Sequence, residues 1–108
     1  MARVRLCGVL ELPIFGGRLY EDVGGSSLDV LLFKVSGGQL RAYDAACPHA
    51  GARLSPMHEM GGELVCFLHQ WAFDIATGAC KTVPGCDLIK YPVEVVAEDV
   101  WVTLPDPV

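Results

Sequence analysis

The sequence has no long apolar run. The longest strongly apolar stretch, Val30–Phe33, is far shorter than the roughly 20 residues that a membrane-spanning helix needs. Two arginines lie near the start of the chain, but Gly8, Glu11 and Pro13 come too soon after them to leave room for the apolar core of a signal peptide. We therefore expect a soluble, cytoplasmic protein with no membrane segment.

Positive charge is scarce. The chain has 13 Asp and Glu against 8 Lys and Arg, a net charge of −5. The basic residues are scattered, so the sequence has no basic stripe that could follow a phosphate backbone, and we expect no nucleic-acid partner. An acidic surface suits docking onto basic patches of partner proteins, but it serves solubility equally well.

A helical period, internal repeats, linkers and low-complexity segments are also absent. Short apolar segments with turn signals between them are typical of an all-β sandwich or barrel. With 108 residues, 52% of them hydrophobic, we expect one domain over residues 1–108 and a loop over residues 50–60. The predicted strands are 6–15, 19–23, 28–35, 40–43, 63–66, 71–75, 91–96 and 100–104.

The five cysteines cannot form a complete disulfide framework, because their number is odd. Two of them lie in short boxes with a histidine. These boxes are Cys47-Pro48-His49 and Cys66-Phe67-Leu68-His69, with 16 residues between them. The remaining three are predicted to be reduced thiols, Cys86 as a small buried apolar side chain: Cys7, Cys80 and Cys86.

Each box can give one thiolate and one imidazole. That division suits a [2Fe–2S] cluster in which Cys47 and Cys66 hold one iron and His49 and His69 hold the other. The first box follows a strand, and the second is predicted at the tip of a hairpin, so two loops could enclose one cluster. Zinc is the alternative, but sites of the zinc-finger type usually pair Cys with Cys and His with His. A zinc-stabilised interaction module therefore stays open as the weaker interpretation.

Only His58 remains outside the boxes, and we expect its side chain to be solvated. A catalytic mononuclear iron needs two His and a carboxylate, and the chain has too few histidines for both sites. We therefore predict that the protein is not an enzyme.

The boxes, their spacing, the aromatic strand Trp71–Ile75 and Thr77-Gly78 together resemble the Rieske iron–sulfur family. More narrowly, the chain is similar to the Rieske ferredoxins of bacterial multicomponent oxygenases, of the aromatic-ring dioxygenase and toluene-monooxygenase types. The resemblance implies three antiparallel sheets in a sandwich. It also implies a cluster-binding subdomain, at about 45–86, inserted in a base domain and made of two loops plus a third loop that contains Pro84.

The resemblance also implies a function. Such ferredoxins take single electrons from a flavin-dependent NAD(P)H ferredoxin reductase to a terminal oxygenase, which hydroxylates aromatic or other hydrocarbons. We expect a monomer, because an exchangeable carrier must expose the face that docks. The alternative within the family is the small Rieske subunit of an assimilatory nitrite reductase.

Two departures from the respiratory branch of the family concern the potential of the cluster. That branch has a disulfide between its cluster loops, where this chain has Ala52 and Leu68. It also has Ser and Tyr hydroxyls bonded to sulfur, where this chain has Trp71 and Phe73. Because hydroxyl donors stabilise the reduced cluster, we expect a potential near the bottom of the Rieske range of about −150 to +300 mV.

Overall fold

The computed structural model describes residues 2–12, 16–48, 53–66 and 70–105. These residues form ten strands and short 3₁₀ turns but no α-helix, and no helix among them is long and apolar enough to cross a bilayer. The strands are β1 Ala2–Gly8, β2 Gly16–Tyr20, β3 Val30–Lys34, β4 Leu40–Asp44, β5 Glu59–Met60, β6 Glu63–Cys66, β7 Trp71–Asp74, β8 Lys90–Tyr91, β9 Val93–Val96 and β10 Asp99–Leu104.

The strands form three antiparallel sheets, with orders β1-β10-β9, β2-β3-β4-β8 and β5-β6-β7. This confirms the predicted all-β fold of three antiparallel sheets.

The longest apolar run of the sequence, Val30–Phe33, forms most of the strand β3. Its residues Val30, Leu31, Leu32 and Phe33 are all buried. Because side chains alternate across a strand, Leu31 and Phe33 face one side of the sheet while Val30 and Leu32 face the other. Each pair packs in a different hydrophobic core. The run is therefore a strand that is covered on both faces.

We name the two cores by their contents. The cysteine core consists of Leu31, Phe33, Tyr43, Ala45, Cys47, Leu54, Leu64, Cys66, Phe73, Ile75, Cys80 and Leu88. The base core consists of Cys7, Val23, Val30, Leu32, Ala42, Tyr91, Val100, Val102 and Leu104.

The sheet of the two chain ends covers the base core. The strand β1 pairs with β10 from Ala2 opposite Leu104 to Gly8 opposite Asp99. The predicted β9–β10 hairpin is present, and its turn residues Ala97 and Glu98 have left-handed φ values of 51° and 69°. Two such residues in a row are the pattern of a type I′ turn, whose twist matches that of the strands.

Two strands near the start of the chain have bounds that differ from the prediction. The first is predicted over 6–15, but β1 ends at Gly8, and a 3₁₀ turn follows over Val9–Glu11. Residues 13–15 lie outside the described part. The second strand begins at Gly16 instead of residue 19, because the apparent turn signal is part of the strand. A Cβ on Gly17 would lie 2.5 Å from the Phe33 ring, so the ring requires glycine there.

Two further expectations are wrong in detail. The segment predicted as a loop over residues 50–60 contains a 3₁₀ turn, Pro56–His58, and the edge strand β5, while 50–52 lie outside the described part. The strand predicted over 91–96 is divided at Pro92, which has no N–H to donate to a ladder. As a result β8 pairs with β4, and β9 pairs with β10.

Candidate metal centre

The first Cys/His box enters a loop whose two ends are held together. At the end of β4, Asp44 Oδ1 accepts a hydrogen bond from the Ala46 N–H at 2.8 Å, which turns the chain immediately. Ala46 then forms an antiparallel bridge with Arg53. Cys47 is the first residue inside the loop that this bridge closes, and its side chain is only 1% exposed.

The cysteine of the second box ends the first strand of the β6–β7 hairpin. Cys66 is the last residue of β6 and pairs with Trp71, the first residue of β7. Gln70, which leads into β7, has a left-handed backbone with φ 57°, as tight turns often require. Cys66 is also 1% exposed. The predicted hairpin is therefore confirmed, with the cysteine at its base.

Both cysteines belong to the cysteine core, together with Leu54, Leu64 and Phe73. In the part of the chain that the structure describes, no polar or charged residue is buried. The two thiols thus come from two different loops into one apolar environment.

The other two predicted ligands, His49 and His69, lie outside the described residues. Among the residues that are described, no group of three or more His, Cys, Asp and Glu side chains could hold a metal ion. The described half of the predicted set still fits the cluster. Two buried thiolates from separate loops suit the sulfur-bound iron of a mixed Cys/His cluster, whereas two thiolates alone complete neither that cluster nor a tetrahedral zinc site.

The third loop, which contains Pro84, lies along β7. The Ala72 carbonyl accepts the Lys81 N–H at 2.7 Å, and the Ala72 N–H donates to Thr82 Oγ1 at 3.0 Å. Pro84 is exposed, in a turn whose next residue, Gly85, has φ 87°. The loop therefore begins beside the strand that Trp71 opens. Trp71 itself is half-buried and packs against the cysteine core.

The Thr77-Gly78 signal has a packing explanation. Gly78 has φ 81°, and a Cβ there would lie 2.8 Å from Tyr43 Cε1. The Tyr43 hydroxyl donates a hydrogen bond to the Ile75 carbonyl at 2.6 Å, and this joins the central sheet to the end of β7. Burial raises the pKa of Tyr43 to about 12. The sequence analysis did not identify Tyr43 as the residue that joins the central sheet to the end of β7, because Ile75 and Gly78 lie far from it along the chain.

Ion pairs hold two of the loops from outside. The Arg53 guanidinium lies 2.6 Å from Asp29 Oδ2 and 3.1 Å from Glu21 Oε2, which ties the first loop to the β2–β3 connection. Lys81 Nζ lies 2.6 Å from Glu63 Oε2, and this hydrogen bond raises the pKa of Lys81. Nothing local in the sequence indicated the role of Arg53.

The side chains outside the boxes differ from expectation in two cases. His58 is half-buried, and its Nδ1 accepts the Ser55 N–H at 3.0 Å, so the prediction of a solvated ring is wrong. Cys86 is only partly buried, although a buried side chain is expected from the sequence. Cys7 and Cys80 are buried free thiols.

Comparisons with known proteins agree with the arrangement of the two boxes. A sequence model of the Rieske [2Fe–2S] domain matches residues 3–92. The ferredoxin component of the naphthalene 1,2-dioxygenase system of Pseudomonas putida is 37% identical over 93 residues, which cover 85% of this chain and 83% of that protein. The 3-phenylpropionate/cinnamic acid dioxygenase ferredoxin subunit of Shigella boydii is 33% identical over 108 residues, covering 98% of this chain and 97% of the subunit.

Solved structures give the same fold. The ferredoxin of carbazole 1,9a-dioxygenase from Nocardioides aromaticivorans has a TM-score of 0.71 at 28% identity, covering 94% of this chain and 97% of that one. A nitrite reductase small subunit from Mycobacterium tuberculosis has a TM-score of 0.72, but at 19% identity, covering 98% and 97%, it shows the fold alone. The chain spans only 15% of the length of another relative, the oxidoreductase NdmD of Pseudomonas putida, at 28% identity over 73% of this chain.

Proposed function

The chain belongs to the Rieske [2Fe–2S] domain family, and from this premise we propose that it carries single electrons to a terminal oxygenase. The electron donor would be a flavin-dependent NAD(P)H ferredoxin reductase, and the oxygenase would hydroxylate aromatic or other hydrocarbons. The observation that carries the proposal is the pair of buried thiols, Cys47 and Cys66, at the bases of two loops. Oxygenase ferredoxins matched over most of their own length support it.

Membership of the family confirms the predicted cofactor, one Rieske-type [2Fe–2S] cluster. The prediction that the chain is an electron carrier and not an enzyme is also confirmed, because the relatives matched over most of their length are ferredoxin components.

For the ligands, we assign Cys47 and Cys66 to the inner iron and His49 and His69 to the outer iron. The cluster supplies one-electron chemistry at a potential above that of an all-cysteine cluster. The burial of the two cysteines supports their part of the assignment, because apolar neighbours would exclude water from the sulfur-bound iron. The histidine assignment is supported by their spacing from those cysteines. Trp71 and Pro84 are the proposed neighbours of the cluster.

We further propose that residues of about 45–86 form a cluster-binding subdomain inserted in a base domain, and that the protein works as a monomer in the cytoplasm. The loops that contain His49 and His69 are the natural docking face, because the outer iron would be bound there. A net charge of −5 favours basic patches on the reductase and the oxygenase.

The nitrite reductase alternative rests on a fold shared with nitrite reductase small subunits at 19% and 20% identity. It predicts that the protein supports nitrite reduction with a nitrite reductase catalytic subunit. The oxygenase proposal predicts instead that the reduced protein supports product formation by an aromatic-ring oxygenase and is itself reduced by a flavin-dependent reductase. A panel of both kinds of catalytic partner separates the two, and activity with the nitrite reductase alone would contradict our proposal.

The ligand assignment is tested by ultraviolet–visible and EPR spectra of anaerobically purified protein, before and after dithionite. We expect a Rieske-type reduced signal with a low average g value, lost completely in Cys47→Ala and Cys66→Ala. Cys7→Ala is the matched control, since it also removes a buried thiol but from the base core, and its signal should be retained. An unchanged signal in Cys66→Ala would contradict the assignment, and a colourless protein with one zinc would favour the interaction module.

A further inference from the structure

The third loop contains a buried cysteine that the proposed cluster does not use. Cys80 is 8% exposed and belongs to the cysteine core. Its backbone forms an antiparallel bridge with Phe73, a fully buried residue of β7. Its N–H donates a hydrogen bond to Asp87 Oδ1 at 2.9 Å. Cys80 is therefore held both by β7 and by the returning limb of the loop.

The sulfur of Cys80 holds the tip of this loop, which consists of Val83, Pro84, Gly85 and Cys86. The Val83 N–H donates to Cys80 Sγ at 3.3 Å. Within the described part of the chain, the tip makes one other hydrogen bond, from the Cys86 N–H to the Val83 carbonyl at 3.4 Å. Because that bond lies inside the tip, the sulfur is the described hydrogen-bond partner that joins the tip to the rest of the protein.

Packing also brings the tip to the interior. Val83 and Cys86 are partly buried and pack against the cysteine core. The hydrophobic effect has no direction, whereas a hydrogen bond weakens steeply when its donor and acceptor are misaligned. The bond to Cys80 therefore gives the tip an orientation that packing does not supply. Cysteine suits this position, because its sulfur is a weak acceptor that can stay in an apolar core.

We propose that Cys80 is a positioning residue for electron transfer, because its sulfur fixes the turn that contains Pro84 beside the cluster. The proposal rests on the proposed function, in which Pro84 is a neighbour of the cluster. Without the sulfur acceptor the tip loosens, and water reaches the cluster site more easily. Reduction adds negative charge, which water stabilises, so the midpoint potential of the loosened protein rises. Cys80 itself binds no iron.

The test compares Cys80→Ala with Cys80→Ser in the cluster-loaded protein. Alanine offers no acceptor to the Val83 N–H, whereas the serine hydroxyl keeps one. Hydrogen exchange, followed by mass spectrometry with fragmentation to single residues, should be about 2–10-fold faster at the Val83 amide in Cys80→Ala. The midpoint potential, measured by a spectroscopic redox titration, should rise in the same variant. Cys80→Ser should stay near the wild type in both measurements.

The matched control is Cys7→Ala, which also removes a buried thiol but from the base core. In this variant neither the exchange of the Val83 amide nor the potential should change. Both measurements are made on the ferredoxin alone, without a reductase or an oxygenase. An error in the assignment of the partners would therefore leave this result unchanged, and the two proposals fail separately.

Three results would overturn the proposal. One is an equal rise of the potential in Cys80→Ala and Cys80→Ser, because the smaller side chain would then be the cause. Another is an unchanged Val83 exchange rate or an unchanged potential in Cys80→Ala. The third needs no variant, so a variant that fails to fold does not weaken the test. In the wild type, after correction for intrinsic rates, the Val83 amide should exchange more slowly than that of Gly85, which donates no hydrogen bond to the described residues. Equal exchange at the two amides would show that the sulfur does not hold the tip.

Discussion

The two cores on either side of β3 are built from different kinds of chain. In the base core, Val23 is the one residue outside a strand among those described. In the cysteine core, half of the residues lie outside strands: Ala45, Cys47, Leu54, Ile75, Cys80 and Leu88. Both cores are apolar. The base core is held by the hydrogen-bonded ladders of long strands, whereas the cysteine core depends on the contacts that hold its loops in place.

This difference shows how one small domain can combine rigidity with an accessible site. Ladder hydrogen bonds between β1 and β10 join the two ends of the chain and keep the base core closed. On the other side, Cys47 lies just inside the first loop and Cys66 is the last residue of β6, so both buried thiols lie where a loop begins. If the comparison is correct, changes on the cysteine side should affect both stability and the cluster, whereas matched changes elsewhere should affect stability alone.

The largest effect is expected at Gly78. Gly78→Ala forces a Cβ into the left-handed region, which costs about 1–2 kcal/mol, and places it 2.8 Å from the Tyr43 ring, for an overpacking cost of about 1–3 kcal/mol. We expect a total loss of about 2–5 kcal/mol in the free energy of unfolding, measured in urea, and weaker retention of the cluster. Gly85→Ala is the control, since its φ is 87° but a Cβ there has no described atom within 4 Å. It should lose only about 1–2 kcal/mol. Equal losses in the two variants would show that the contact with Tyr43 is unimportant.

The next effect concerns the reduction potential. Trp71→Ser introduces a hydroxyl at the edge of the cysteine core, where the hydroxyl of the buried Tyr43 is already engaged by the Ile75 carbonyl. A hydrogen bond to a charged group contributes about 1.5–3 kcal/mol, and about 59 mV corresponds to 1.36 kcal/mol for one electron. We therefore expect the midpoint potential, measured by a spectroscopic redox titration, to rise by roughly 65–130 mV. Trp71→Phe removes the indole without adding a hydroxyl and is the control. A potential that rises equally in both variants would contradict the hydroxyl explanation.

Two tyrosines whose hydroxyl groups lie inside the protein, Tyr43 and Tyr20, sharpen the comparison further. Tyr43→Phe removes the hydrogen bond to Ile75 and should cost about 1 kcal/mol at pH 7. The pKa of Tyr43 in the folded protein, about 12, is above its ordinary value of about 10. Its contribution to stability is therefore complete below pH 10 and is lost as the pH rises towards 12. Wild type and Tyr43→Phe should become more alike across this interval when urea unfolding is followed at each pH.

The control for that experiment is Tyr20→Phe. Burial, and after it the neighbouring Cys7 thiol, raises the pKa of Tyr20 to about 12 as well, but among the described residues its buried hydroxyl has no hydrogen bond of good geometry. Removing it should change the stability at pH 7 by less than about 0.5 kcal/mol, or even increase it, because an unsatisfied buried hydroxyl is itself unfavourable. A loss in Tyr20→Phe as large as in Tyr43→Phe would mean that the hydrogen bond to Ile75 has no special role.

The sequence predicted those features that are encoded locally. The Gly-Gly turn after β3 and the aromatic strand after Cys66 each lie within a short stretch of chain, and the structure places both where the sequence predicts them. The features that were missed depend on distant partners. Gly17 looks like a turn residue until the Phe33 ring is seen beside it, and Gly78 is understood only together with Tyr43. The short strand β5 has two exposed residues and therefore no apolar alternation to indicate it.

The smallest effect is expected from the ion pairs of Arg53, because they are exposed. Arg53→Gln removes the contacts with Asp29 and Glu21, but its side chain is 54% exposed and solvent screens such pairs, so we expect a loss of only about 0.5 kcal/mol. Arg5→Gln is matched, since Arg5 on the terminal sheet likewise pairs with two carboxylates, those of Asp99 and Glu11, at similar exposure. Both losses should shrink at 1 M salt, where the screening length falls to about 3 Å.

The two variants should differ in one respect: only Arg53 closes the loop that begins with Cys47, so only Arg53→Gln should speed the loss of visible absorption when a chelator is added. If both variants released the cluster at the wild-type rate, the first loop would be held by its backbone contacts with Ala45 and Ala46, and the ion pairs would contribute to stability alone.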